Sequence, residues 1–184
     1  FIVFIWGFTA ILGALITIEA IPLVWYRVFL AAAVLFIVLK LRGIPFNENW
    51  SDLLKFLIGG ILVALHWVTF FYAIKISTIS TTLITLSSSA LFVVIVKPLF
   101  EKKEFKFYEL VLSVFTILGF VIIFKSEELY KEGMLIALVS AFLIALFSLY
   151  NNKLVKSYTG TKIAFYELLF AGLFLSVILL ATNE

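Results

Sequence analysis

Seven long apolar runs, separated by short polar breaks, make up most of this chain; they cover roughly residues 1–18, 21–39, 53–74, 79–100, 107–124, 133–150 and 163–182. A helix needs about 20 mostly apolar residues to cross a bilayer. Inside lipid, every backbone N–H and C=O must find its partner within a helix or a closed barrel. Barrel strands alternate polar and apolar positions, and these runs do not. The pattern predicts an all-α polytopic membrane protein with seven transmembrane helices. Breaks at 19–22, 40–52, 75–78, 101–106, 125–132 and 153–162 each hold charge, Pro, Gly or Asn, which end an apolar helix. Ser51–Asp52 is placed to cap the third helix, because a short side-chain oxygen there can accept an orphan N–H. The connections are short, so consecutive helices are expected to pack as antiparallel hairpins.

Composition strengthens that reading. The chain is 64% hydrophobic and 14% charged, with mean hydropathy +1.21, against about 25% charged in soluble domains. No cysteine is present, which removes disulfides, thiolate metal sites and cysteine nucleophiles together. The net charge of +3 reflects basic residues at helix ends and in loops. Lys40, Arg42, Lys55, Lys97, Lys102, Lys103, Lys106, Lys153, Lys156 and Lys162 fall at the breaks after the second, fourth and sixth helices. Only Arg27, Lys75, Lys125 and Lys131 fall at the other breaks. The side richer in Lys and Arg faces the cytoplasm, so the N-terminus is expected inside. The chain opens on Phe1, its one methionine is Met134, and no basic segment precedes the first run. That is a poor signal peptide and reads as a piece of a longer membrane protein.

Residues 25–39 align without gaps to 165–179, bringing Tyr26 onto Tyr166, Ala31 onto Ala171 and Trp25 onto Phe165. Each segment is the second helix of a unit, five helices apart. An odd number of helices per unit makes the second copy enter from the opposite face, the inverted-repeat architecture of many secondary transporters. Arg27 and Glu167 then hold equivalent positions with opposite charge.

The opening FIWGFTAILGALITIEAIPLVWYRVFLAAAVLFIVL resembles the first two helices of EamA-type members of the drug/metabolite transporter superfamily. Trp6-Gly7 stands at that family's aromatic–small pair, and Pro22 and Arg27 at its loop proline and second-helix arginine. ALHWVTFFYAIKIST at 64–78 resembles its third helix and the turn beyond. Gly119 matches a glycine of its fifth helix, and EGMLIALVSAFLIALFSLY resembles the start of its second repeat. A proline common within the family's fourth helix is absent; Ser87, Ser88 and Ser89 lie there, and Pro98 comes later. The resemblance implies ten helices in a 5+5 inverted repeat. Residues 1–125 would form the first five-helix repeat, and 133–184 the first two helices of a second repeat that the chain does not complete. It also implies a multi-pass protein of the cell's inner (plasma) membrane that moves a small polar or amphipathic metabolite by alternating access, as an exporter. The expected partners are that substrate and the bilayer, with a homodimer left open, no nucleic acid and no cofactor. The alternative is a membrane receptor or scaffold without transport.

His66, the only histidine, falls mid-membrane in the third helix, where an ionisable group usually faces the bundle interior or a watered cavity. It reads as a pathway residue or proton carrier, or as a neutral imidazole bonded to a neighbouring helix. From Ser77 to Ser89, nine of thirteen residues are Ser or Thr. With Thr81, Thr85 and Ser88 on one face they could form a hydrogen-bonding wall for substrate, or a packing face. Trp6 and Phe70 could line the same pathway, or simply pack. Arg27 and Glu167 are candidates for gating or charge pairing; Arg27 could also attract an anion, snorkel or pair with Glu19. One histidine and no cysteine cannot build a multi-histidine metal site, and the last run lacks a buried lysine for retinal. No enzyme is expected.

Overall fold

The computed structural model describes residues 2–101, 107–123 and 130–182, with side chains at all of these except 2–7, 101, 110, 116 and 119–123. The helical segments among them are α1 (Ile2–Leu15), α2 (Ala20–Leu41), α3 (Trp50–Ile76), α4 (Ile79–Ser87), α5 (Ser89–Glu101), α6 (Phe107–Ile123), α7 (Lys131–Leu154) and α8 (Gly160–Thr182). Each of the seven apolar runs coincides with helix. Five spans are long and apolar enough to cross a membrane: α2, α3, the α4–α5 stretch Ile79–Phe100, α7 and α8. The described parts of α1 and α6 are shorter, at 14 and 17 residues.

Local chemistry sets the boundaries. Pro22 lies in the first turn of α2, where a missing N–H removes no helical bond. The helix closes with Gly43 at φ 65°. There Ile44 N–H reaches Leu39 O at 3.0 Å and Gly43 N–H reaches Lys40 O at 3.1 Å, a glycine-dependent αL ending. The cap of α3 is Asn49, whose side chain accepts from Asp52 N–H at 3.0 Å. The expected cap Ser51–Asp52 therefore lies inside the first turn, where the Asp52 charge suits the positive helix end. The fourth apolar run is two segments instead of one helix. Ser87 and Ser88 turn their hydroxyls onto Ile84 O and Thr85 O, both at 2.6 Å, and Ser88 N–H bonds back three residues to Thr85 O. Such local bonding tightens and bends a helix, and α5 begins at Ser89.

Packing departs from the hairpin expectation. The most extensive interfaces join α3 to α7, α3 to α8 and α2 to α8, all distant in sequence. Neighbours across a break, α2–α3, α5–α6 and α3–α4, touch only lightly. In a bilayer, lipid tails solvate apolar surfaces as well as another helix does, so helices associate where small residues let backbones approach. Gly133, Ala137, Ala141 and Ala145 form such a stripe on α7 and are all buried. On α3, Gly59, Val63, His66, Phe70 and Ala73 form a buried seam. A β-carbon on Gly60 would stand 2.6 Å from the Glu167 carbonyl oxygen and 2.9 Å from the Phe170 Cβ, so α3 and α8 meet almost backbone to backbone. The outward faces stay apolar, with Leu99 and Leu180 about four-fifths exposed, as a surface solvated by lipid requires.

Candidate functional site

Two buried polar regions interrupt this apolar bundle. The first lies mid-bundle. His66 Nδ1 stands 2.8 Å from Ser140 Oγ and 3.0 Å from Ser140 O, and Ser140 Oγ donates to His66 O at 3.0 Å. A neutral imidazole carrying its proton on Nδ1 donates to the α7 carbonyl while the serine hydroxyl returns a bond to α3. The exchange locks α3 to α7 and leaves Nε2 outside it. Phe70 packs one turn along, its ring centroid 6.1 Å from the imidazole. Thr81, Thr85 and Ser88 are buried on the α4 side, and α4 packs against α7.

The Thr85 and Ser88 hydroxyls donate locally. Thr85 Oγ1 bonds Thr81 O at 2.8 Å and Ser88 Oγ bonds Thr85 O. Thr78 Oγ1 donates to Thr81 Oγ1 at 2.9 Å while accepting from Thr81 N–H. With the Thr78, Thr85 and Ser88 donors used inside the segment, these hydroxyls offer oxygen lone pairs. It suits a ligand that donates, such as an amine, an amide or a hydroxyl. The Trp6 side chain lies outside the described residues.

The second region lies at the end of the bundle where the α2–α3 and α7–α8 connections meet. Tyr158 OH donates to Asp52 Oδ1 at 2.5 Å, and Lys55 Nζ bonds the same oxygen at 2.8 Å and Tyr158 OH at 3.2 Å. Tyr150 OH reaches Lys55 O at 3.0 Å. Glu48, from the α2–α3 connection, takes an ion pair from Lys162 and a 2.5 Å hydrogen bond from Tyr166 OH, both on α8. Burial works against the Glu48 carboxylate. The hydrogen bonds from Lys162 and Tyr166 outweigh it and hold the carboxyl below its usual range. Phe56 stacks on Tyr166 with ring centroids 5.2 Å apart and closes the cluster from α3.

Beneath this cluster sits Glu167, 3% exposed. Its Oε2 accepts from Asn151 Nδ2 at 3.1 Å, and its carboxyl lies against α3 at Gly59, where a β-carbon would collide with it. Arg27 is elsewhere, 4.7 Å from the Trp67 ring centroid and 5.4 Å from that of Phe71. Among the described residues it pairs with neither Glu19 nor Glu167. Both side chains turn toward α3, Arg27 over aromatic rings and Glu167 against glycine.

The structure thus joins His66 with Phe70 and sets Thr81, Thr85 and Ser88 along an adjoining helix, while Arg27 and Glu167 stay apart from them and from each other. Sequence reading missed Ser140, Asn151, Glu48 and the Asp52–Lys55–Tyr158 group. Asn151 carried a signal, an amide at the end of an otherwise apolar run. Glu48 carried none, because its partners lie more than a hundred residues away.

An all-helical bundle with an apolar exterior, backbone-close contacts at small residues and polar ties in its interior and at its end is a multi-pass membrane protein. The chain belongs to the EamA-like transporter family, whose model matches residues 1–125. No curated protein and no solved structure matches the chain.

Proposed function

We propose that this protein is a secondary transporter that moves a small polar or amphipathic metabolite across the inner membrane by alternating access, in the direction of export. Family membership supports transport. The observation that carries the inverted-repeat mechanism is the α2–α8 interface. Trp25 Nε1 donates to Ser176 Oγ at 2.7 Å, Phe29 packs where a Gly172 side chain would be, and the Phe36 and Phe165 rings lie 6.0 Å apart. In the alignment of the two runs Trp25 corresponds to Phe165, Ala32 to Gly172 and Phe36 to Ser176. The two helices therefore meet through equivalent stripes, as a two-fold axis between repeats requires. On this reading 1–125 is one unit and 133–184 supplies the first two helices of the other.

The pathway runs along α3 and α4, lined by His66, Phe70, Thr81, Thr85 and Ser88 with Trp6 of α1, and Arg27 and Glu167 act in gating between the units. The N-terminus is cytoplasmic, and the polar cluster around Glu48 and Asp52 closes the cytoplasmic end. Proteoliposome flux of a panel of amines, amino acids and other small polar metabolites tests the function; no flux of any of them in either direction would count against it. The orientation has its own test, clean because the chain has no cysteine. An impermeant thiol reagent applied outside cells should label a cysteine placed at position 128 and spare one at 104, and the reverse pattern overturns the topology.

A further inference from the structure

Two side-chain oxygens stand out in the described interior. Glu167 Oε1 and Asn151 Oδ1 are both enclosed and both lack a hydrogen-bond partner, on two residues already joined through Nδ2–H···Oε2. Two unpaired acceptors on adjoining planar groups are costly in a low-dielectric interior. A carboxylate and a carboxamide cannot relieve each other there, because neither oxygen has a hydrogen to give. A carboxylic acid can. One proton on Oε1 supplies the donor that this pair lacks, and an acid and an amide side by side can share two hydrogen bonds.

The charged and titratable groups around the pair are engaged elsewhere. On α3, Lys55 is held by Asp52 and Tyr158; on α7, Tyr150 donates to the Lys55 carbonyl. On α8 itself, Lys162 and Tyr166 both serve Glu48. On α2, Lys40 lies over the Phe36 and Phe46 rings. None of these bonds to Glu167 among the described residues. The α3 backbone at Gly59 lies against the flank of Oε1, and the two unpaired oxygens are far fewer than the six or so oxygen ligands of a hard metal ion. The occupant that fits is a proton.

We infer that Glu167 and Asn151 form a proton-binding site between α3, α7 and α8, occupied as Glu167 Oε1–H in this conformation. Binding adds H⁺ to Oε1 and release returns it, with no other species involved. An ionised Glu167 has to be solvated, so release requires water to enter or α8 to part from α3 at Gly59–Gly60. The site thereby links proton occupancy to contact between the two units of the transport reading. The protonation itself does not depend on that reading.

Isotope-edited infrared spectroscopy of the purified protein in lipid tests the state directly. A protonated-carboxyl C=O band should be present at neutral pH, vanish in Glu167→Gln and shift in Asn151→Leu. A glutamate spectrum with only carboxylate bands at neutral pH overturns the proposal, and includes the case of an ionised Glu167 bridged by a buried water. A second measurement keeps the test sound if a variant is poorly made. Glutamine is isosteric with the protonated acid and can give and take the same two bonds, so Glu167→Gln should match wild-type thermal stability at neutral pH and exceed it in alkali. Clear destabilisation at neutral pH would show that the charge is needed and would end the proposal. If the band is present and the protein moves no substrate, the proton site stands and the transport reading falls.

Discussion

The α4 hydroxyl run and the end cluster around Glu48 and Lys55 are both polar regions of a largely apolar bundle, and they are built in opposite ways. In the run, side-chain hydrogen bonds span one to five residues, and Thr78, Thr85, Ser87 and Ser88 each donate within their own turn. In the cluster, the bonds that matter join residues about a hundred apart: Lys55 to Tyr158, Glu48 to Tyr166, Tyr150 to Lys55. A self-bonded hydroxyl face survives separation of its helices, and its lone pairs remain free for a passing donor. The cross-linked cluster exists only while α3 and the connection before it stay against α7, α8 and the connection between those two. Under the proposed function, the first region contacts substrate and the second holds the helices closed.

Substitutions should separate the two regions by size of effect. The largest loss is expected from Gly60→Ala. Its β-carbon meets the α8 backbone, which cannot rotate away, so the interface must open at a cost of about 3 kcal/mol, the upper range for overpacking. Unfolding in detergent would show it, and a wild-type midpoint would mean the backbones are not in contact. Next comes Glu48→Gln, which should cost about 1–2 kcal/mol at neutral pH after allowance for solvent screening. Because the folded carboxyl titrates below its unfolded value of about 4.3, this stabilisation is complete above that pH. It disappears as pH falls through the folded value, so wild type and variant should converge in acid. A constant gap between them would place the effect in packing instead of charge.

Smaller again is Ser140→Ala, which breaks the His66 exchange. Hydrogen bonds between membrane helices average about 0.6 kcal/mol and reach about 1.7, and a loss near 1 kcal/mol is expected in the same unfolding assay. The smallest stability effect belongs to Thr85→Val, within about 0.5 kcal/mol, because Thr81 O keeps its helical partner when the hydroxyl is lost. If the hydroxyl face touches substrate, the same variant should reduce transport well beyond its effect on folded yield. Wild-type flux would remove that face from the pathway, whereas a large stability loss would erase the contrast between the regions.

Much of the helical layout was legible because lipid makes it so. A run such as 133–150 must be helix once it lies in a bilayer, whatever surrounds it, and every run is helical, the fourth as two segments. The buried seam from Gly59 to Ala73 on α3 was also readable, since helical periodicity alone puts those residues on one face. The cap at Asn49 was misplaced by half a turn, because Asn49, Ser51 and Asp52 all suit a cap and only backbone geometry chooses among them. The break at Ser88 was missed because an apolar average does not register hydroxyls turning onto their own carbonyls. Partner choice was missed most. Short loops argued for hairpins, but in lipid a loop tethers helices without giving their faces a reason to meet.

By itself, then, the sequence determined the solvent, the helical runs, the apolar exterior and the small residues on α3, α7 and α8, because each follows from local composition and period. Which stripes meet was decided only in three dimensions, by where backbones can approach closely enough for van der Waals contact. That choice set Glu167 against Gly59 and beside Asn151, a juxtaposition of residues from three helices that no spacing along the chain encodes.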